Sequence, residues 1–150
     1  MYKSMLVPLD GSKTDEIVLG HVKTLAKQWG AAVTLILLHR LAPADDSFEK
    51  QVQMEDGSSG WRAKRKAETY LPHLEHMVAP EGIEAHTEFL VVEEPEADAI
   101  VRYAEKNNCD LIVLANRERS PIGRFFFGNI EEKVRRRSTL PVLFVPVRES

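Results

Sequence analysis

The stretch from Asp110 to Val134, DLIVLANRERSPIGRFFFGNIEEKV, holds residues suited to binding an anion. Its pattern predicts a buried strand, a polar loop and a helix that opens at Gly128. A helix N-terminus presents unpaired N–H groups and a partial positive charge to an anion. Ala115 and Glu118 occupy positions where the backbone should lie closest to phosphate. Ala115 disfavours positive φ, and Glu118 adds a carboxylate that repels phosphate.

Several donors in the same stretch favour an anion. Arg117, with Arg119 and Arg124, can supply bidentate guanidinium donors to phosphate oxygens, although such arginines also occur simply as solvated surface residues. We expect the backbone N–H groups of Gly128, Asn129 and Ile130 to face the phosphates. Gly128 and Asn129 would equally serve as ordinary helix-capping residues.

A second group of candidate residues follows the first two predicted strands. Pro8 and Asp10 lie in PLDGS, and Arg40 ends the second strand. The carboxyl ends of parallel strands gather ligands where the strand order reverses. Asp10 is also a natural turn or helix cap, with Gly11 beside it. Arg40 can stack on a base or pair with a carboxylate, or it can be an exposed edge residue.

The elements that must position these residues alternate between short apolar runs and longer segments of helical period. This alternation predicts an α/β fold with a parallel sheet covered by helices on both faces. We predict five strands, with the polar third one at an edge: Met5–Leu9, Val33–His39, Glu84–Leu90, Leu111–Ala115 and Val142–Val147.

Four helices are predicted between the strands. The first contains Ile17–Trp29 and ends at Gly30, the second covers about Trp61–Met77, the third covers about Pro95–Lys106, and the fourth runs from near Gly128 to before Pro141. Pro72 should kink or split the second helix, and Pro95 should lie in the first turn of the third. The acidic, Ser- and Gly-rich segment Leu41–Gly60 is interpreted as a surface connection.

Composition narrows the class of protein. The 150 residues, 43% hydrophobic and 29% charged with a net charge of −3, indicate one domain spanning residues 1–150 and no nucleic-acid partner. The single cysteine, Cys109, excludes an internal disulfide framework. No signal-peptide pattern and no apolar run of roughly 18 residues is found, so we expect a cytoplasmic location and no membrane span. The histidines form no metal-ligand pattern, and no nucleophile and base pair identifies a catalytic residue.

Three segments together resemble the universal stress protein family over essentially the whole chain. They are MLVPLDGSKTDEIVLGHV, EEPEADAIVRYAEKNNCDLIVLANR and GRFFFGNIEEKVRRRSTLPVLFVPV. The resemblance implies a five-stranded Rossmann-like or flavodoxin-like sheet, similar to the adenine nucleotide alpha hydrolase-like fold. ATP-binding members carry G-x2-G-x9-G-[ST] in the phosphate loop, which falls here on Ala115, Glu118, Gly128 and Asn129. One of the three glycines is therefore retained.

The resemblance implies a stress-response regulator or sensor whose adenine-nucleotide pocket is degenerate. ATP, ADP or AMP, with magnesium, would place adenine and ribose near Pro8, Asp10 and Arg40. The resemblance also implies a homodimer formed through the C-terminal strand Val142–Val147, together with protein partners that the sequence does not identify. Two alternatives remain at this point: a slow ATP hydrolase or phosphotransferase, and a nucleotide-free dimeric interaction module.

Overall fold

Strands and helices alternate along the chain in the predicted order. A computed structural model describes residues 1–41, 59–117 and 130–147. The strands are β1 (Ser4–Leu9), β2 (Ala32–Arg40), β3 (Ala85–Val92), β4 (Leu111–Arg117) and β5 (Val142–Val147). The helices are α1 (Thr14–Trp29), α2 (Ser59–Val78), α3 (Glu96–Lys106) and α4 (Ile130–Arg137), and a short 3-10 turn covers Ala79–Glu81. All five predicted strands are present.

The strands form one parallel sheet in the order β3-β2-β1-β4-β5. The prediction that the third strand lies at an edge is confirmed. From β1 the chain adds strands on one side, through β2 to β3, and it then crosses over to add β4 and β5 on the other side. The strand order therefore reverses between β1 and β4, which is where open parallel sheets bind their ligands.

The two faces of the sheet bury separate hydrophobic clusters. Alternate residues of β1 divide between them, because side chains of a strand point to opposite faces. Met5 and Val7 pack with α1 and α2, whereas Leu6 packs with α3 and α4. All three β1 side chains are fully buried. The change of face follows the reversal in strand order, as expected when every crossover has the same hand.

The helices largely follow their apolar periodicity. In α1, Val18, Val22 and Ala26 recur on the buried face. The helix ends where predicted, at Gly30, whose left-handed conformation directs its N–H to the Ala26 carbonyl. Within α2, Leu71, Leu74 and Val78 form part of the buried face.

The structure excludes a split at Pro72 and places Pro95 one position earlier than predicted. Pro72 lies inside α2, which runs as one helix from Ser59 to Val78, so it does not split the helix. Burial of apolar side chains on both sides of Pro72 stabilises a single helix despite the missing N–H group. Pro95 is the N-cap of α3, one position before the first turn, with an extended ψ of 141°.

Two boundaries also differ from prediction. Strand β4 continues two residues past Ala115 to Arg117. The predicted connection Leu41–Gly60 lies outside the described residues from 42 to 58, and Ser59 and Gly60 belong to α2. Across the parts of the chain that the structure describes, no helix combines the length and apolar character needed to cross a membrane.

Candidate functional site

The candidate site is the carboxyl edge of the sheet between β1 and β4, where the strand order reverses and where open parallel sheets have their ligand-binding crevice. These strands pair at two positions, Met5 with Leu111 and Leu6 with Ile112, although both strands run further. By contrast, β1 pairs with β2 at six positions, and β4 pairs with β5 at six. Pro8 has no N–H group to donate, which fits the end of the β1–β4 ladder before it. The backbone pairing of β1 with β4 therefore ends early, at the point where the strand order reverses.

On the side of β1 away from β4, strands β2 and β3 extend beyond the end of β1. Leu9, the last residue of β1, pairs with Leu37, so β2 continues for three more residues to Arg40. Arg40 is exposed and pairs with Val92 at the end of β3. Since each strand residue rises about 3.3 Å, Arg40 lies roughly 10 Å further along the strand direction than the end of β1. Arg40 therefore lies at the rim of the candidate site, meaning the carboxyl edge of the sheet, where open parallel sheets contact their ligands.

Asp10 follows β1 directly and lies at the base of the crevice. Its side chain is exposed, and its Oδ1 accepts the N–H of Ser12 at 2.9 Å. This is the local turn that the sequence predicts for Asp10, and it leaves the carboxylate at the carboxyl edge of the sheet. The capping and ligand-binding interpretations of Asp10 are therefore compatible.

The loop after β1 is hydrogen-bonded to the buried side chain of Asp15, a residue that sequence analysis missed. Asp15 is 2% exposed. Its carboxylate accepts the N–H of Gly11 at 2.8 Å and the N–H of Asp10 at 3.3 Å. Gly11 has a φ of +83°, a conformation that L-residues rarely adopt. The backbone of this loop is therefore built around one buried acid.

Three successive N–H groups of the β1–α1 loop, from Asp10 to Ser12, are directed to carboxylates within the chain. Those of Asp10 and Gly11 bind the Asp15 carboxylate, and that of Ser12 binds Asp10. At the start of α1, the Asp15 N–H donates to the Ser12 carbonyl and the Glu16 N–H donates to the Lys13 carbonyl. This loop consequently differs from the glycine-rich loops whose amides cradle phosphate. The exposed functional group of this loop is the Asp10 carboxylate, which accepts hydrogen bonds from hydroxyl or amino groups.

Tyr70 of α2 completes the surroundings of Asp15. Its hydroxyl donates to Asp15 Oδ2 at 2.7 Å. Burial raises the pKa of the Asp15 carboxyl, and the bonds from Tyr70 and Gly11 partly offset that rise. Burial, followed by the neighbouring Asp15, raises the pKa of the Tyr70 phenol, which therefore remains a donor at physiological pH.

On the opposite wall, Ala115 lies within β4 and pairs with Val145. It is partly buried and packs against the cluster that contains α1 and α2. Asn108 is the non-glycine residue with positive φ in the described ranges, so Ala115 carries no such strain. Ala115 therefore lies in regular strand backbone, where the poor access of alanine to positive φ is not called upon. Arg117 ends β4 instead of lying within the following loop.

The remaining predicted phosphate contacts are only partly described. Glu118, Gly128 and Asn129 lie outside the described residues, and Ile130 is the first residue of α4.

Helix α4 is fixed on the sheet by its middle and its end. Val134 is fully buried, and Arg137 forms an ion pair with Asp98 of α3. In the sequence, α4 begins directly after the predicted phosphate loop. The structure brings Pro8, Asp10, Arg40 and Ala115 to the same edge of the sheet, as the sequence predicted.

A local signal pointed to Asp15. The order Ser12-Lys13-Thr14-Asp15 fits the pattern [ST]-x-x-[DE] that opens many helices, in which the acid reaches back to a preceding backbone N–H. Here the acid reaches further back than that pattern implies, to Gly11 and Asp10. Tyr70 is 55 residues away and carries no comparable local signal.

In the described ranges, no group of three or more His, Cys, Asp or Glu side chains is arranged to hold a metal ion. Cys109 is 4% exposed just before β4, and its sulfur accepts a hydrogen bond from the Ser4 hydroxyl at 3.7 Å. Burial raises the pKa of the Cys109 thiol, as expected for a structural cysteine.

The strand order and the crevice between β1 and β4 define a Rossmann-like α/β domain. The chain belongs to the universal stress protein family, whose family model matches residues 1–146. The universal stress protein MJ0531 of Methanocaldococcus jannaschii is 29% identical over 150 residues, covering 97% of this chain and 82% of that protein.

Solved structures share the same fold. The structure of MJ0577, a universal stress protein of Methanocaldococcus jannaschii, has a TM-score of 0.78 at 23% identity, covering 100% of this chain and 99% of that one. A universal stress protein solved in complex with cAMP has a TM-score of 0.69 at 21% identity, covering 96% of each chain.

Proposed function

We propose that this universal stress protein binds an adenine nucleotide in the crevice between β1 and β4 and acts as a cytoplasmic, homodimeric stress-response regulator or sensor. The observation that carries the proposal is the early end of the β1–β4 ladder at Leu6 and Ile112, on the strand that leads into the exposed Asp10. The cAMP complex of a protein with the same fold supports adenine nucleotides as the class of ligand.

The chemistry of the β1–α1 loop determines the orientation of the ligand in this proposal. Because the N–H groups of Asp10 and Gly11 are directed to Asp15, this loop suits ribose hydroxyls or the adenine amino group better than phosphate. Phosphates then extend toward β4 and α4, where Arg117 and the amides of Gly128, Asn129 and Ile130 would meet them. Arg40 on the rim would stack on the base.

The proposed pocket is degenerate because Glu118, at the position of a glycine in the ATP-binding pattern, would add a carboxylate near the phosphates. A carboxylate about 4 Å from a phosphate costs roughly 1 kcal/mol in bulk water and about 4 kcal/mol at an effective dielectric constant near 20. The cost grows with the number of phosphate charges. We therefore expect AMP to bind more tightly than ATP without magnesium, and magnesium to reduce that difference.

Titration calorimetry with AMP, ADP and ATP, each with and without magnesium, tests the proposal. Asp10→Ala should weaken AMP binding about tenfold, because it removes a charged acceptor worth about 1.4 kcal/mol or more. Glu75→Ala is the matched control, since Glu75 is an exposed acid on α2. Absence of heat with all three nucleotides would contradict the proposal, and equal affinities in wild type and Asp10→Ala would remove Asp10 from the site.

A further inference from the structure

Helix α2 and the β1–α1 loop meet at one buried carboxylate. Asp15 accepts hydrogen bonds from the Gly11 and Asp10 N–H groups and from the Tyr70 hydroxyl. Two of these donors belong to the loop that carries Asp10, and the third belongs to α2. The side chain of Asp15 is therefore the point at which the position of α2 can influence the loop.

The bonds to Asp15 determine where the Asp10 carboxylate lies. Asp10 is anchored by its own N–H, and the next residue, Gly11, is anchored in its left-handed conformation. The Asp10 side chain is then closed onto the Ser12 N–H. Lys13, the N-cap residue of α1, makes no side-chain capping bond that would hold the loop in its place.

Burial makes the loss of any donor costly. A carboxylate withdrawn from water is stable only when its oxygens are well hydrogen-bonded. With Asp15 2% exposed, its three donors replace the water that it has lost. Tyr70 is the donor that comes from outside the loop, so its hydroxyl determines whether the buried acid is satisfied while the loop keeps this shape.

We propose that Asp15 and Tyr70 are positioning residues that hold the β1–α1 loop in the conformation that presents Asp10 to the ligand. The ligand assigned here rests on the proposed function, whereas the effect on the loop does not. Neither residue needs to touch the nucleotide. Their contribution is to fix the Asp10 backbone before the ligand arrives, which reduces the ordering cost of binding.

Two readouts on the full chain test the inference. Hydrogen exchange of the Gly11 amide, followed by NMR without ligand, reports the bond from Gly11 to Asp15. AMP affinity by calorimetry reports the site. In Asp15→Ala, we expect the Gly11 amide to exchange about tenfold faster or more, and AMP binding to weaken about tenfold. Tyr70→Phe keeps the ring and should produce smaller changes of about threefold in both readouts.

A conservative variant separates positioning from general destabilisation. Asp15→Asn keeps one carbonyl-type oxygen that can accept from Gly11 and Tyr70 in place of Oδ2, whereas its NH2 group replaces the Oδ1 that accepts from the Asp10 N–H. Slow Gly11 exchange should therefore return, and AMP affinity should return in part. Tyr103→Phe is the matched control for Tyr70→Phe. Tyr103 also donates its hydroxyl to a carboxylate, that of Glu88, but it packs with the cluster on the other face of the sheet. It should change neither readout.

The outcomes are distinguishable. Unchanged Gly11 exchange in Asp15→Ala would overturn the inference, whatever happens to binding. Faster Gly11 exchange with unchanged AMP affinity would also overturn it, because a loosened loop would then bind equally well. If the wild type binds no nucleotide but Gly11 exchange accelerates in Asp15→Ala and recovers in Asp15→Asn, the proposed function fails while the positioning of the loop is supported.

Discussion

At the scale of single residues, Gly11 has the conformation on which the candidate site depends. Its φ of +83° turns the N–H group toward the buried Asp15. A Cβ added at Gly11 would meet no atom within 4 Å, so space does not require glycine there. The requirement is conformational, because an L-residue with a side chain is disfavoured at this φ.

We predict that Gly11→Ala lowers the free energy of unfolding by about 1–2 kcal/mol through this backbone strain alone. Gly20→Ala is the matched control, since Gly20 lies inside α1 and a Cβ there also meets nothing within 4 Å. At that position alanine should stabilise the protein by about 0.5–1 kcal/mol. Urea denaturation measures both changes, and effects of the same sign would contradict this account of Gly11.

The residue scale also shows how far the candidate site could be predicted. Asp10 was accessible from sequence because it follows an apolar strand in a turn-forming context. The sequence marks Asp15 only as the acid of a capping-box pattern, because its bonds depend on a loop that folds back onto it and on Tyr70, which is distant in the chain. The end of β4 was misplaced for a related reason: the strand runs two residues past Ala115, and strand ends are poorly specified by local pattern.

At the scale of elements, α2 contains a local conflict that its packing overrides. Pro72 has no N–H group for the carbonyl four residues before it, yet Leu71 and Leu74 beside it are buried. Pro72 itself is exposed, so it adds little to the core. The sequence predicted α2 from its apolar period but could not weigh tertiary burial against the proline.

Pro72→Ala should therefore raise the free energy of unfolding by about 2 kcal/mol, after allowance for the greater freedom of the unfolded chain. The restored N–H group can bond within the helix, and alanine has no ring to oppose the preceding turn. Thermal or urea unfolding measures the gain. Glu75→Ala, an exposed change in the same helix, should stay within about 0.5 kcal/mol of wild type. A Pro72→Ala protein no more stable than the control would mean that α2 already accommodates the proline without cost.

The strand order, by comparison, was predictable at the level of class but not in its details. Alternating apolar runs and helical periods specify a parallel sheet, and the polar residues of β3 specify an edge. The early end of the β1–β4 ladder was not predictable, because it depends on pairing between strands about 100 residues apart in sequence. The early end of that pairing leaves β1 and β4 unpaired with each other at the candidate site.

At the scale of the whole molecule, the two edges of the sheet differ in chemistry. On β3, the exposed residues His86 and Glu88 are polar and discourage pairing with another sheet, although Val91 near the end of the strand is 48% exposed. On β5, Leu143 is 38% exposed in the apolar run VLFVPV. An apolar edge strand is a suitable surface for an isologous contact with a second copy. We therefore propose β5 as the interface of the homodimer.

Leu143→Glu should convert the dimer to a monomer, because the two copies of residue 143 would bring like charges into a shared apolar contact. Light scattering should then give a molar mass near the 17.0 kDa of one chain, against about twice that for wild type. Val91→Glu is the matched control, since Val91 is 48% exposed on β3 at the opposite edge. It should leave the dimer intact. Circular dichroism of both variants checks that each remains folded, and a folded Leu143→Glu protein that stays dimeric would place the interface elsewhere.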